Sequence, residues 1–388
     1  MTDNKKVYLD HSATSYPKPE AVYQAVDNFA RQTGVGGGRG NYVETNRVAK
    51  MVAETRQLLG ELLNCDSQDI VLTSGATESM NLVLRGCLKA GDHAIISPFE
   101  HNCVLRPLEF LVEREGVEVS VLPGLLEEGF DPEALKKLLR PETKICVLNH
   151  IANSFGTVQR VCEAGKILAK REGLFFVVDA AQSLGTHEVD AKKLQADAIC
   201  FSGHKGTLGP TGTGGFYIHP RMVEAVEPLV FGGTGRNGGT KMFSRELPHK
   251  YEVGTQNSWG IVGLRQGLKE VIKTGVRKIA NHINGLTTRA SAGLKEIDGV
   301  ELFLPSKENH HGIVAFRLES LPPVDTAILL DKFFSIKVRS GLQCSPAAHK
   351  LLGTYPEGTV RASFGLANSA EDVEVFIRAV KSLVEDSS

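Results

Sequence analysis

No sign of charge dominates this chain. Its 44 Lys and Arg against 45 Asp and Glu leave a formal net charge of -1. No broad basic field therefore exists for nucleic acid or anionic lipid, and a small anionic ligand must find a local site. The roughly 20 consecutive apolar residues that a membrane helix needs are missing, as is a charged-then-apolar leader. The expectation is a cytoplasmic protein with neither membrane nor nucleic acid as a partner. Cysteine shows no framework: the seven are scattered, odd in number and without a CxxC pair. That pattern argues for free thiols in a reducing compartment rather than disulfides or a metal site. No segment repeats another at a fixed period.

What is present is ordinary globular composition, 41% hydrophobic and 23% charged, in 388 residues, a length that suggests two domains. Apolar runs of strand length at 70–72, 93–97, 117–122, 144–148, 174–178 and 198–201 alternate with helical patterns at 41–63, 79–88, 132–139 and 161–172. This predicts an α/β fold around a mainly parallel sheet. A glycine-rich stretch at 232–239 precedes a long helical pattern over 261–297 and a shorter α/β region. The boundaries expected are a large domain over 16–260 and a small one over 261–388, with segment 1–15 packing on the latter. The charged, serine-ended tail at 385–388 is expected to be a solvated end.

One lysine carries the chemistry. Lys205 lies in Phe201-Ser202-Gly203-His204-Lys205-Gly206, behind an apolar strand that ends at Asp179, with Gln182 three residues later. A primary amine forms a Schiff base with an aldehyde, and a carboxylate at a strand end can face the ring nitrogen of pyridoxal phosphate. Open α/β sheets place ligands at such strand ends, and a protonated pyridine supplies the partner that a buried carboxylate lacks. Alone, Lys205 is a solvated surface charge and Asp179 a turn or cap residue.

Thr73-Ser74-Gly75-Ala76-Thr77-Glu78-Ser79 follows a strand and opens a helix, where free amides and hydroxyls face an anion. It suits a phosphate, although Thr77 or Ser74 could serve only the backbone. The Gly-Lys-Ser/Thr ending of a nucleotide loop is absent, and the glycines at 34–40 follow no apolar strand, so nucleotide binding is disfavoured.

Taken in order, the motifs resemble one family over nearly the whole chain. They begin at Tyr8-Leu9-Asp10-His11-Ser12-Ala13-Thr14 and Ser74-Gly75-Ala76-Thr77-Glu78, and continue through Glu100-His101-Asn102 and Asn153-Ser154-Phe155-Gly156-Thr157. Asp179-Ala180-Ala181-Gln182, Ser202-Gly203-His204-Lys205 and Gly254-Thr255-Gln256-Asn257 follow. Arg339-Ser340-Gly341-Leu342-Gln343-Cys344 and Val360-Arg361-Ala362-Ser363 complete the set. The chain is similar to the class V aminotransferase branch of fold-type I pyridoxal phosphate enzymes, within it the cysteine desulfurase and selenocysteine lyase group. That resemblance implies a seven-stranded-type sheet in the large domain and pyridoxal 5'-phosphate as cofactor.

It also implies roles. Lys205 would hold the cofactor in imine linkage and then move the Cα proton, while His101 would stack on the ring and exchange protons with substrate sulfur. His101 could equally be a helix-start residue that only caps. Asn153 and Gln182 would bond the phenolate side, Asn153 also reaching the substrate carboxylate. Ala76, Thr77, Ser202 and His204 would hold the phosphate, with Thr255 reaching in from the second subunit of a homodimer. Arg361 would grip the substrate carboxylate with its planar fork, and Arg339 would make a second contact.

Cys344 separates desulfuration from transamination, because a thiolate beside the bound substrate can take its sulfur as a persulfide and leave alanine. The segment between Gly341 and Pro346 is turn-rich, so an exposed loop is expected there. Cys146, Cys200, Cys65, Cys87 and Cys162 are expected to be inert; Cys103, two residues after His101, is harder to dismiss. Many members with this short loop carry histidine before the cysteine and alanine after it, where this chain has Gln343 and Ser345. A neutral amide cannot deprotonate the thiol, which leaves thiol activation open. The activity implied is conversion of L-cysteine to L-alanine with sulfur passed through Cys344 to an acceptor protein or thiol. The alternatives are a selenocysteine lyase, or an aminotransferase or lyase that does not use Cys344.

Overall fold

A computed structural model describes residues 6–37, 40–233 and 244–387. Most of the 232–239 glycine stretch, Gly38 among the early glycines, the first five residues of segment 1–15 and Ser388 lie outside the described residues.

The central sheet has seven strands in the order Ile70–Thr73, Gly214–Ile218, Ala198–Ser202, Phe175–Asp179, Thr143–Asn149, His93–Ile96 and Glu118–Val121. Gly214–Ile218 runs antiparallel to both its neighbours; the other pairs are parallel. The strands read as continuous apolar runs because both faces are covered. Along Phe175–Asp179, Phe176 and Val178 enter one core while Phe175 and Val177 enter the other, as strand alternation requires.

The first core is closed by helices that include Val43–Leu63 and Val161–Leu168, the second by Ala76–Cys87 and Asn102–Glu115. Gly214 lets the reversed strand meet the helix-opening turn, since a Cβ there would lie 2.4 Å from the Gly75 Cα.

A second, four-stranded antiparallel sheet orders Val300–Phe303, Ile313–Leu318, Thr359–Ser363 and Arg339–Gly341. Its core is covered by Val276–Lys295 and Ala370–Ser387. Val7–Tyr8 pairs in parallel with Ile336–Lys337, and Asp10 bridges to Ser363, so the N-terminal segment is laced to this region.

The single long helix expected over 261–297 is two helices, Ser258–Thr274 and Val276–Lys295. Gly275, at φ +88°, turns the backbone between them, a conformation glycine adopts without steric cost. The boundary expected at residue 260 falls inside Ser258–Thr274, whose Ile261, Val262, Leu264 and Leu268 share a core with Ile70 and Leu72. The strand Gly214–Ile218 escaped the apolar-run reading because it opens on two glycines.

Candidate active site

Five parallel strands end at one edge of the central sheet, and each hands the chain to a functional segment. Thr73 leads to Ala76 and Thr77, Ile96 to His101, Asn149 to Asn153, Asp179 to Gln182 and Ser202 to Lys205. Strand-end loops converge there because parallel strands all present their carboxyl termini on the same side. The small sheet supplies the opposite wall, where Arg339 and Arg361 stand opposite each other on neighbouring strands. A cavity of about 770 Å³ lies between, lined by Ala76, Thr77, His101, Asn153, Asp179, Gln182, Ser202, His204, Lys205, Arg339 and Arg361. Ser12, Ala13, Cys103 and Gln343 also face it.

Lys205 Nζ makes no hydrogen bond or ion pair among the described residues. Burial pushes its amine down from the ordinary lysine value while the Asp179 carboxylate pulls it back up. An amine so placed is neutral more often than a surface lysine, and therefore more nucleophilic. Asp179 is buried, with Oδ1 accepting from the Ala181 amide at 2.8 Å and Oδ2 from the Cys103 thiol at 3.5 Å.

At the opening of helix Ala76–Cys87, Glu78 takes both the Ser74 amide, at 2.7 Å, and the Ser74 hydroxyl, at 2.6 Å. Thr73 Oγ1 takes the Gly75 amide at 3.3 Å. The amides of Ala76 and Thr77 find no protein acceptor among the described residues and face the cavity. Across from them, His204 Nδ1 is buried without a partner, and burial together with Lys205 pushes its ring down to about 4.

His101 does two things at once. Its Nδ1 accepts the Cys103 amide at 2.9 Å, the capping role foreseen as the plain alternative. That bond leaves the ring proton to the other nitrogen, and His101 is the leading influence that lowers the Cys344 thiol. Arg339 Nη2 donates to the Cys344 sulfur at 3.3 Å. His101 first, and Arg339 after it, hold the thiol down at about 6 against the opposing effect of burial. The groups that lower the Cys344 thiol are therefore His101 and Arg339, and its sequence neighbour Gln343 is not among them.

Cys344 itself lines an adjoining groove that shares Thr77, His101 and Cys103 with the cavity, so its thiol stands at the boundary between the two. The loop is not the fully exposed turn expected: Gln343 and Ser345 are buried and Cys344 is half-buried.

Three expected contacts are already engaged within the chain. Asn153 directs its side chain to the Cys344 loop, donating to the Gln343 carbonyl at 2.6 Å and accepting from Ser345 Oγ at 2.6 Å. Gln182 Nε2 donates to the Ser12 carbonyl at 3.0 Å, which ties the N-terminal segment to the site. Arg361, 1% exposed, donates to the Asn153 carbonyl at 2.9 Å and to Asp10 at 2.7 Å.

Asp10 was visible within the first motif but given no role there; the need of a buried guanidinium for a carboxylate was the signal that could have found it. Thr255 is not brought to the cavity of its own chain: it is exposed and lines a separate surface cavity beside Gly36 and Gly37.

The chain is similar to known proteins over nearly its whole length. The family model for Aminotransferase class-V matches residues 7–376. A "Probable cysteine desulfurase" of Pyrococcus abyssi is 36% identical over 98% of this chain and 94% of its own length. One with the same description from Methanothermobacter thermautotrophicus is 35% identical over 95% of this chain and 92% of its own. Among solved structures, the apo cysteine desulfurase of Thermococcus onnurineus NA1 superposes with a TM-score of 0.90 at 36% identity, covering 98% of this chain and 95% of that one. An S-sulfonic acid form of an Escherichia coli cysteine desulfurase gives a TM-score of 0.88 at 29% identity, covering 99% and 96%.

Proposed function

The chain belongs to the class-V aminotransferase family, among the cysteine desulfurases, and from that membership we propose that it converts L-cysteine to L-alanine and takes the sulfur on Cys344 as a persulfide. The observation that carries the reading is the Cys344 thiol held by His101 and Arg339 at the mouth of the Lys205 cavity. The bookkeeping needs no outside oxidant. The substrate Cβ–S bond breaks, an S–S bond to Cys344 forms, and a new C–H bond at Cβ completes alanine. Both sulfurs are oxidised by one unit as the carbon is reduced.

The family's cofactor is pyridoxal 5'-phosphate, and the residues present suit it. The free amides of Ala76 and Thr77, the unpartnered His204 Nδ1 and Ser202 would hold its phosphate, with Asp179 opposite the ring nitrogen and Lys205 at its aldehyde carbon. Bound there, it supplies an electron sink for the substrate's Cα. Lys205 Nζ accepts the Cα proton, a task for which its depressed basicity fits it. Arg361 and Arg339 orient the substrate carboxylate, and the donor that holds Cys344 ionised, His101, is placed to return a proton to the leaving fragment.

The wider reading has three parts. A homodimer would bring the exposed Thr255 of one copy to the phosphate end of the other. An acceptor protein or thiol would collect the persulfide from the groove beside Cys344. The cytoplasm is the setting; all seven cysteines are free, in keeping with a reducing compartment. No described helix is long and apolar enough to cross a membrane.

The test is peptide mass analysis of Cys344 after mixing the cofactor-loaded protein with L-cysteine, with alanine, sulfide and pyruvate measured together. One added sulfur on Cys344 and alanine as the organic product are expected. Unchanged alanine output from Cys344→Ala would end the proposal, and a keto acid in place of alanine would point to transamination.

A further inference from the structure

The two residues that flank Cys344, where histidine and alanine were the expected neighbours, are buried and fully engaged. Gln343 and Cys344 have φ of +41° and +63°. Two successive left-handed residues with side chains each cost about 1–2 kcal/mol, so the loop must be held in place by something else.

The hold comes from both sides. Gln343 is 2% exposed; its Nε2 donates to the Thr359 carbonyl at 2.7 Å, and its Oε1 lies 2.8 Å from His349 Nε2. His349 Nδ1 in turn meets Thr354 Oγ1 at 2.7 Å. The Asn153 amide grips the loop on each side of the cysteine, donating to the Gln343 carbonyl and accepting from Ser345 Oγ, both at 2.6 Å. The Asn102 amide donates to the Cys344 carbonyl at 2.8 Å. Only a carboxamide offers a donor and an acceptor on neighbouring atoms in this way, and only a hydroxyl at position 345 can answer the acceptor.

We propose that Gln343, Ser345 and Asn153 are positioning residues that clamp Cys344 from both sides and so fix its sulfur between His101 and Arg339. The inference rests on the role proposed for Cys344, and it gives Asn153 a task in the thiol loop beyond any contact with cofactor or substrate. The charged and titratable groups around the sulfur are His101 and Cys103 at the start of their helix, Arg339 and Arg361 on the small sheet, and Arg85 and Arg106 along the groove; Cys103 is buried and its thiol is pushed up. None is a carboxylate, so a sulfur displaced from His101 and Arg339 loses anion stabilisation.

The experiment reads the thiol directly. The rate of Cys344 alkylation by iodoacetamide is followed against pH by peptide mass analysis in the purified full-length protein, with Ser345→Ala, Gln343→Ala and, as a positive control, Arg339→Gln. The midpoint is expected to rise by about one pH unit or more in all three, roughly a tenfold loss of thiolate at low pH. Ser345→Ala removes one hydroxyl and is expected to fold even where Gln343→Ala does not. A lowered melting temperature with an unmoved midpoint in Ser345→Ala would overturn the clamp. The assay uses no L-cysteine: shifted midpoints together with an enzyme that forms no persulfide would sustain the clamp and overturn the desulfurase reading.

Discussion

Arg361 and Asp10, 351 positions apart, form an ion pair of 2.7 Å beneath the cavity, with the arginine side chain 1% and the aspartate 20% exposed. The pair answers an electrostatic problem set by the small sheet. Arg339 and Arg361 face each other on adjacent strands, and Arg339 makes the charge of the buried Arg361 harder to sustain. Asp10 relieves part of that repulsion, the Cys344 thiolate relieves more, and a substrate carboxylate would relieve the rest. The N-terminal segment is therefore part of the site.

Asp10→Asn is expected to weaken both the fold and substrate capture. Removing one partner of a buried pair costs about 3–5 kcal/mol when the remaining charge is fully sealed; the partial exposure of Asp10 lowers the expectation to about 1–3 kcal/mol. The orientation of Arg361 loosens at the same time, and the KM for L-cysteine should rise about tenfold, equivalent to about 1.4 kcal/mol. Urea unfolding and steady-state kinetics read the two effects separately. An unaltered KM would show that Arg361 is held by the Asn153 carbonyl alone.

Thr255→Ala should leave the melting temperature of the cofactor-free protein unchanged, since the side chain is exposed and outside its own chain's cavity. Affinity for pyridoxal phosphate, measured by absorbance titration, should nevertheless fall about tenfold or more, as expected for one lost hydrogen bond to a charged group. Equal affinity in the two proteins would remove Thr255 from the phosphate site of a second copy.

Much of this arrangement was legible before any coordinates. Strand-length apolar runs ending at Asp179 and at 201 placed the acid and Lys205 at sheet ends, because a strand buried on both faces writes itself as an uninterrupted run. The strand Gly214–Ile218 did not, since glycine is chosen there for close approach to Gly75 rather than for propensity. The helix break at Gly275 was hidden because the apolar spacing continues on either side of a single residue. At the site, residue types were readable but partners were not. Nothing local to Gln343 shows that it turns inward to Thr359 and His349, nor that the donors for Cys344 come from residues 101 and 339.

Stability should fall as pH drops from 7 to 5. Burial pushes His11 down to about 4 and His150 and His311 to about 3, against an unfolded value of 6.5. Between those limits the unfolded chain binds protons that the folded chain refuses, so the free energy of unfolding rises with pH across that window. The contribution is complete above 6.5 and is lost on acidification. At pH 5 each of these histidines could withdraw at most about 2 kcal/mol. A melting temperature that stays flat from pH 7 to pH 5 would contradict the neutral, buried assignment.

Exposure and acidity make opposite predictions about which cysteine reacts first with an alkylating agent. Cys162 is the exposed thiol, yet burial of its sulfur raises it above the ordinary 9.0. Cys344 is only half-buried and held down at about 6. Even at the ordinary 9.0 for Cys162 the thiolate fractions at pH 7 would differ about ninetyfold, while the lower basicity of Cys344 reduces its intrinsic nucleophilicity about twentyfold, so Cys344 leads by at least about fourfold. At pH 6 the same reasoning gives an advantage of at least about twentyfold, because the Cys344 thiolate has fallen only by half and that of Cys162 by a further factor of ten. Selectivity for Cys344 must therefore grow on acidification even as its absolute rate declines. Quantitative peptide mapping after brief iodoacetamide exposure at the two pH values checks the trend, and preferential labelling of Cys162 at pH 6 would show that Cys344 is an ordinary thiol.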